Sequence, residues 1–347
     1  MKNFLVRIFL LVFCLFLTGF PSSARALKTE IRSDKLYSRD HYKSVLFKIN
    51  SQNLDSFMEH EGKRYSLMKY GDMESIKEYS KMLVSRIWNK FGNRILENPD
   101  NWILVCPSYF KRPTAAAILV KTTQEILEKK YHVSLKMVRL HRKKTNDREF
   151  GELRSIGERQ SYIVGNFYYN GQNLSNKNLV FLEDALVSGT HYVETQKILS
   201  EQGGAALKNL HAFFITEVEK EKSKNSNYEV EALLNYGWVK KTHLARLVPI
   251  LKDPQTIYTP RMLKFIFGNR ERAKFYTKQL EFFELNKLYQ TAYDERFLER
   301  PKYIGLVQEL RENLTQQLSE KKQSLNLSSV YQLDEPTLDQ IMSEKKN

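Results

Sequence analysis

Cysteine is nearly absent from this chain: there are two in 347 residues, Cys14 and Cys106. No paired cysteines are available for zinc. Once a leader carrying Cys14 is removed, no intramolecular disulfide can form, so a disulfide-stapled secreted scaffold is excluded. Several catalytic signatures are also missing. The chain has no Gly-x-x-x-x-Gly-Lys phosphate loop, no His-Glu-x-x-His zinc helix and no Gly-x-Ser-x-Gly nucleophile turn. It has no internal repeat and no long low-complexity tract. The apolar run over residues 8–20 is short for a spanning helix, which needs roughly 20 residues.

Apolar material is plentiful elsewhere. A hydrophobic content of 41% with 20 Phe can bury a real core, and the length suits two domains or one domain with substantial additions. Residues 1–26 have the layout of a signal peptide: Lys2 and Arg7 bracket a basic start, an apolar run follows, and Ala24 and Ala26 fit a small-x-small cleavage site. The expected location is therefore periplasmic or secreted. An uncleaved segment would instead contact the membrane, and a misassigned start would leave the protein in the cytoplasm. Cys14 lies mid-segment, away from a cleavage position, which argues against a lipid anchor.

Acidic charge falls short of basic. There are 55 Lys and Arg against 40 Asp and Glu, and loss of Lys2, Arg7 and Arg25 with the leader lowers the formal +15 to +12. Such a balance favours anionic partners, although a Lys-rich genome gives the same result. Over residues 259–318 aromatic and basic side chains interleave, as they do in nucleic-acid stacking surfaces. A helix-bundle core with a solvated basic face accounts for this more simply, so nucleic acid is not the favoured partner.

Along the chain, residues 27–56 show no clear period. From Asp72 an amphipathic helix is legible through Ile76, Leu83, Val84 and Phe91, with Gly92-Asn93 marking its expected end. Strands are expected at 102–106, 133–140, 179–182 and 210–216, and helices at 113–130, opened by Pro113, and at 192–201. Residues 141–161 are polar and highly charged, which predicts a long loop or lid. Beyond about residue 251 the pattern is helical only, and 331–347 form a polar tail. Strands alternating with helices predict an α/β fold with a parallel sheet. The expected organisation is a helical segment over 27–94, an α/β domain over 95–250 and a helical region over 251–330.

Residues 179–191 carry the most information. A short apolar run ends in the adjacent acids Glu183 and Asp184, and a loop of Val187, Ser188, Gly189, Thr190 and His191 enters a helix. The unpaired amides of such a loop and first helical turn form a concave anion site. The two carboxylates would suit ribose hydroxyls, or Mg²⁺ held together with a ligand's phosphates. A solvated strand end followed by an ordinary helix cap has the same order of residues. Upstream, Lys111 and Arg112 stand at a second strand–helix junction, where cationic donors would join free amides.

An acidic pair followed by a hydroxyl-Gly-x-hydroxyl loop resembles the phosphoribosyl-pyrophosphate (PRPP) signature of the type I phosphoribosyltransferases. The stretch His141-Arg142-Lys143-Lys144-Thr145, then Phe150-Gly151-Glu152, Glu158-Arg159 and Gly165-Asn166-Phe167, precedes the acidic strand in an order similar to the competence-factor F type. The matches span about residues 102–216. The resemblance implies a parallel sheet of the type I kind with helical N- and C-terminal additions, and PRPP or a nucleotide as ligand. It implies that Glu183 and Asp184 meet the ribose hydroxyls and that residues 187–191 wrap the 5′-phosphate. Lys111, Arg112 and Arg159 would neutralise the leaving pyrophosphate, with Mg²⁺ as cofactor.

Two positions depart from that pattern. Val187 and His191 stand where the family commonly has hydroxyl or acidic side chains, although His191 could itself donate to phosphate. Export would also remove the chain from the cytosol, where PRPP is made. The leading expectation is glycosyl transfer between a base and a 5-phosphoribosyl group. A non-enzymatic phosphoribose- or nucleotide-binding module comes second, and a basic envelope protein binding nucleic acid or membrane third. The acceptor base has no signature in the sequence.

Overall fold

The computed structural model describes residues 42–143, 155–219, 226–241 and 244–324. The leader expected at 1–26, most of the charged stretch (144–154) and the tail expected at 331–347 lie outside the described residues. Among the described residues no helix is long and apolar enough to cross a membrane.

Strand β1 (Lys43–Ile49) leads into helices α1 (Leu54–His60), α2 (Gly62–Lys69) and α3 (Met73–Glu97). The centre then alternates as β2 (Trp102–Tyr109), α4 (Ala115–Tyr131), β3 (Lys136–Arg142), α5 (Ile156–Ile163), β4 (Phe167–Tyr168), β5 (Asn178–Leu186), α6 (Thr190–Glu201) and β6 (Leu210–Val218). The remaining described elements are helical: α7 (Ser226–Lys241), α8 (Val248–Lys252), α9 (Pro260–Phe267), α10 (Arg270–Gln279), α11 (Phe282–Asp294) and α12 (Ile304–Ser324).

Six strands form one sheet in the order β1-β6-β5-β2-β3-β4. All neighbours pair in parallel except β3 with β4. Parallel pairing requires crossovers, which α4 and α6 provide in opposite directions: α4 leads from β2 out to β3, and α6 leads from β5 to β6 on the other side. The two connections part where β2 and β5 lie side by side, so a crevice opens beyond the carboxyl ends of these strands.

Strand periodicity explains how β5 can be apolar on both faces. Val180 and Leu182 pack with α3 and α4, while Phe181 points to the opposite face and stacks on Tyr192 of α6 at 5.6 Å. A second core is made by the C-terminal helices through Leu263, Ile266, Leu285, Leu288, Val307 and Leu310. Helix α2 and the residue after it straddle both cores, with Tyr65 and Met68 in the sheet core and Leu67 and Tyr70 in the helical one.

Several elements differ from the expectations. β1 falls within a stretch that shows no period, because it is a partly exposed edge strand; pairing with β6 brings residues before 95 into the sheet. Helix α3 runs through Gly92 to Glu97. Gly92 makes room for the Trp88 indole, which a Cβ would approach to 3.0 Å, and Trp88 is thereby free to stack on Tyr131 at 3.7 Å. Helix α4 opens after Pro113, with Thr114 as its cap accepting from the Ala117 amide at 3.3 Å. The stretch expected to be a loop over 141–161 begins in β3 and ends in α5. β5 continues to Leu186, so the acidic pair lies inside the strand.

Candidate functional site

The crevice between β2 and β5 is a cleft of about 180 Å³. Its walls include Glu183, Asp184 and the 185–189 turn, Pro107 and Ser108 from the end of β2, Arg142 from β3, and Lys69, Arg261 and Lys264 from the flanking helices. The two acids and Val187, Ser188, Gly189 and His191 of the expected phosphate loop therefore share one cavity, while Thr190 does not line it. Lys111 and Arg112 lie in the β2–α4 turn that follows Ser108 but do not line the cleft. Arg159 falls on α5.

Because side chains alternate along a strand, the two acids diverge. Glu183 turns towards α6, where its Oε2 lies 2.7 Å from His191 Nδ1; it is 7% exposed. His191 in turn meets the Phe167 ring edge-on at 5.1 Å. Asp184 turns the other way and forms an ion pair with Lys69 of α2. Burial opposes the Asp184 charge, but the Lys69 ammonium, supported by Arg261 and His191, holds its carboxyl below the ordinary carboxylate range. The Asp184 carbonyl accepts from Thr216 Oγ1 at 3.2 Å, which fixes the backbone at this point.

The β5–α6 turn is shaped for close approach. Gly189 has φ +74°, a left-handed conformation that glycine adopts without strain, and it caps α6. Ser188 and Thr190 are joined through their hydroxyls at 3.0 Å. The first N–H groups of α6 have no partners within the helix and face the same end. Val187 is half-buried and packs against the sheet core, a contact that a hydroxyl would make less well.

The β2–α4 turn is arranged differently. The backbone amides of Lys111 and Arg112 donate to Glu295 Oε1 at 3.2 and 2.8 Å, and the Arg112 side chain pairs with Asp294 at 2.6 Å. Burial pushes the Glu295 carboxyl up, against the pull of those two amides and of Arg300 and Arg142. Lys69, Arg142, Arg261, Lys264 and Glu295 had no assigned role in the sequence reading. Only Arg142 stood in a recognisable segment; Lys69 comes from α2, Arg261 and Lys264 from α9, and Glu295 from just past the end of α11.

A family model described as PRTase ComF-like matches residues 41–310, well over half of the chain. The chain belongs to this family. The match reaches beyond the 102–216 stretch that carried the resemblance and takes in β1, α1–α3 and most of the C-terminal helices of this PRTase ComF-like protein. No curated protein and no solved structure matches the chain.

The residues of this PRTase ComF-like cleft do not fit a resident Mg²⁺ ion. Each acid already has a basic neighbour, Lys69 or His191, and among the described residues no group of three or more His, Cys, Asp or Glu is disposed to hold a metal. Mg²⁺ would have to arrive on a ligand's own phosphate oxygens. Cys106 does not offer a nucleophile: burial pushes its thiol up to about 12.

Proposed function

We propose that this PRTase ComF-like chain, with a sheet of the type I kind, binds a 5-phosphoribosyl ligand in the β2–β5 cleft. The observation that carries the reading is the convergence of Glu183, Asp184 and the Gly189 turn on one cavity at the carboxyl end of the sheet. On this reading the 5-phosphate rests on the 187–191 turn and the first turn of α6, and the ribose hydroxyls reach the carboxylates. His191 serves as a donor to phosphate or holds Glu183 in place. Export through residues 1–26 would favour a nucleotide over PRPP as ligand.

Glycosyl transfer from PRPP is the second reading, and Arg142 favours it. Its guanidinium borders the cleft, with Nη2 3.4 Å from Ser108 Oγ, and could balance charge on a leaving pyrophosphate. In that reaction a base nitrogen bonds to the anomeric carbon as the carbon–oxygen bond breaks and pyrophosphate leaves with the electron pair. Catalysis would rest on positioning and charge stabilisation. Lys111, Arg112 and Arg159 would assist, with Mg²⁺ carried on the donor.

The binding reading is tested by calorimetric titration of the full chain with ribose 5-phosphate, and of Glu183→Gln alongside it. A charged hydrogen bond is worth about 1.5–3 kcal/mol, so the variant should stay folded and lose roughly tenfold or more in affinity. A wild-type chain that binds neither ribose 5-phosphate nor a nucleoside monophosphate would refute the reading. Turnover of PRPP with a panel of bases would establish the second reading.

A further inference from the structure

Three successive residues that follow one another out of α11 grip the β2–α4 turn. Asp294 pairs with Arg112 at 2.6 Å, Glu295 accepts from the Arg112 and Lys111 amides at 2.8 and 3.2 Å, and the Arg296 guanidinium lies over the Phe110 ring at 5.2 Å. Arg300 donates to the Glu295 carbonyl, and Glu295 is only 2% exposed. Two amides converging on one carboxylate oxygen form an anion-binding turn, and the anion it holds is part of the chain itself. This turn is no remote surface. Ser108 at the end of β2 and Thr114 at the start of α4 flank this turn and line the cleft, and Arg142, another lining residue, lies close enough to pull on the Glu295 charge. β2 and β5 are paired neighbours, so their two turns stand side by side across the crevice.

We propose that Glu295 is a built-in substitute for a second phosphate group. It fills the anion-binding amides of the β2–α4 turn and restricts the cleft to ligands with a single phosphate on the ribose, such as ribose 5-phosphate or a nucleoside 5′-monophosphate. This rests on the phosphoribosyl reading of the cleft, and it narrows that reading to ligands without pyrophosphate on the anomeric carbon. A carboxylate carries less charge than a phosphate and cannot leave, so a pyrophosphate group entering this turn must first displace a side chain anchored by the contacts of Asp294 and Arg296.

The test is calorimetric titration of the full chain with ribose 5-phosphate, adenosine 5′-monophosphate, PRPP and inorganic pyrophosphate, the last two with Mg²⁺. Wild type should bind ribose 5-phosphate about tenfold or more tightly than PRPP, and should not bind pyrophosphate. Glu295→Ala should gain about tenfold or more for both PRPP and pyrophosphate while ribose 5-phosphate changes little. Wild-type binding of PRPP as tight as that of ribose 5-phosphate, or tighter, overturns the proposal and leaves the phosphoribosyl reading intact. So does a folded Glu295→Ala that gains nothing for pyrophosphate. If Glu295→Ala does not fold, the wild-type comparison still decides, and Glu295→Gln, which keeps the shape and removes the charge, should show the same gain in smaller measure. Failure of every ligand to bind wild type removes the phosphoribosyl reading and the proposal with it.

Discussion

Two strand–helix turns stand next to each other at the carboxyl end of this sheet, and they treat anions in opposite ways. The β5–α6 turn is small and bends through Gly189 at φ +74°; its hydroxyls bond to one another and it borders an open cleft. The β2–α4 turn is the more cationic in sequence, yet Lys111 is exposed, Arg112 is paired with Asp294, and the amides of both are taken by Glu295. Positive charge in a loop therefore does not measure its capacity for a ligand. What counts is whether another part of the fold has already supplied the counter-charge.

The largest effect is expected at the support of the open turn. Lys69→Met leaves the Asp184 carboxylate largely buried without its partner and should destabilise the fold by about 3–5 kcal/mol in denaturant unfolding. Adding Asp184→Asn should return most of that loss. A single-variant cost under about 1 kcal/mol would mean that the pair behaves as a surface contact, and the contrast between the turns would lose its electrostatic basis. Next comes Gly189→Ala. A left-handed conformation costs a non-glycine residue about 1–2 kcal/mol, so stability should fall by that amount and ribose 5-phosphate binding should weaken with it. Unchanged binding with the expected loss of stability would separate the turn's shape from ligand capture.

Acid titration sharpens the comparison, because the two carboxyls are shifted in opposite directions. Asp184 is held low, so its contribution to stability is present above its unfolded value of about 3.9 and is lost as pH falls through its lower folded value. Glu295 is pushed up, so its contribution is present below about 4.3 and is lost as pH rises through its higher folded value. Urea midpoints measured across this range should show Asp184→Asn flattening the acid limb and Glu295→Gln flattening the decline above it. The smallest effect belongs to Arg112→Ala. It breaks a pair that is more than a third exposed, so stability should change by no more than about 1 kcal/mol and ribose 5-phosphate affinity should hold. A marked loss of affinity would show the β2–α4 turn taking part in binding after all.

The parts of the fold legible in the sequence are those written locally. The β5 apolar run, the acids that follow it and the turn into α6 lie within a dozen residues, and strand and helix periods expose them directly. The limits of elements were less legible: Gly92 resembles a helix end but provides space for Trp88, and β1 resembles a loop because most of its residues stay partly exposed at the edge of the sheet, with no clear alternation. The partners of the site were not legible at all. Lys69 stands 115 residues from Asp184, and Glu295 stands 183 from Arg112, with no local pattern linking either pair. Neighbours of that kind are set by how the helical flanks fold back on the sheet. The same separation explains why the resemblance stopped at 102–216 while the family match extends to both flanks.

Helix α2 has a consequence for how the protein comes apart. Its 8 residues and the Tyr70 that follows place Tyr65 and Met68 in one core and Leu67 and Tyr70 in the other, with Lys69 between them at the cleft. Neither core can melt while the other keeps α2 in position, so heat or urea should produce one cooperative transition, with no plateau in which half the molecule survives. Occupancy of the cleft is then linked to the whole fold. A ligand that binds only the native state raises the unfolding midpoint of the sheet and of the distant C-terminal helices together, and a probe placed on α12 should register binding as faithfully as one placed on β5.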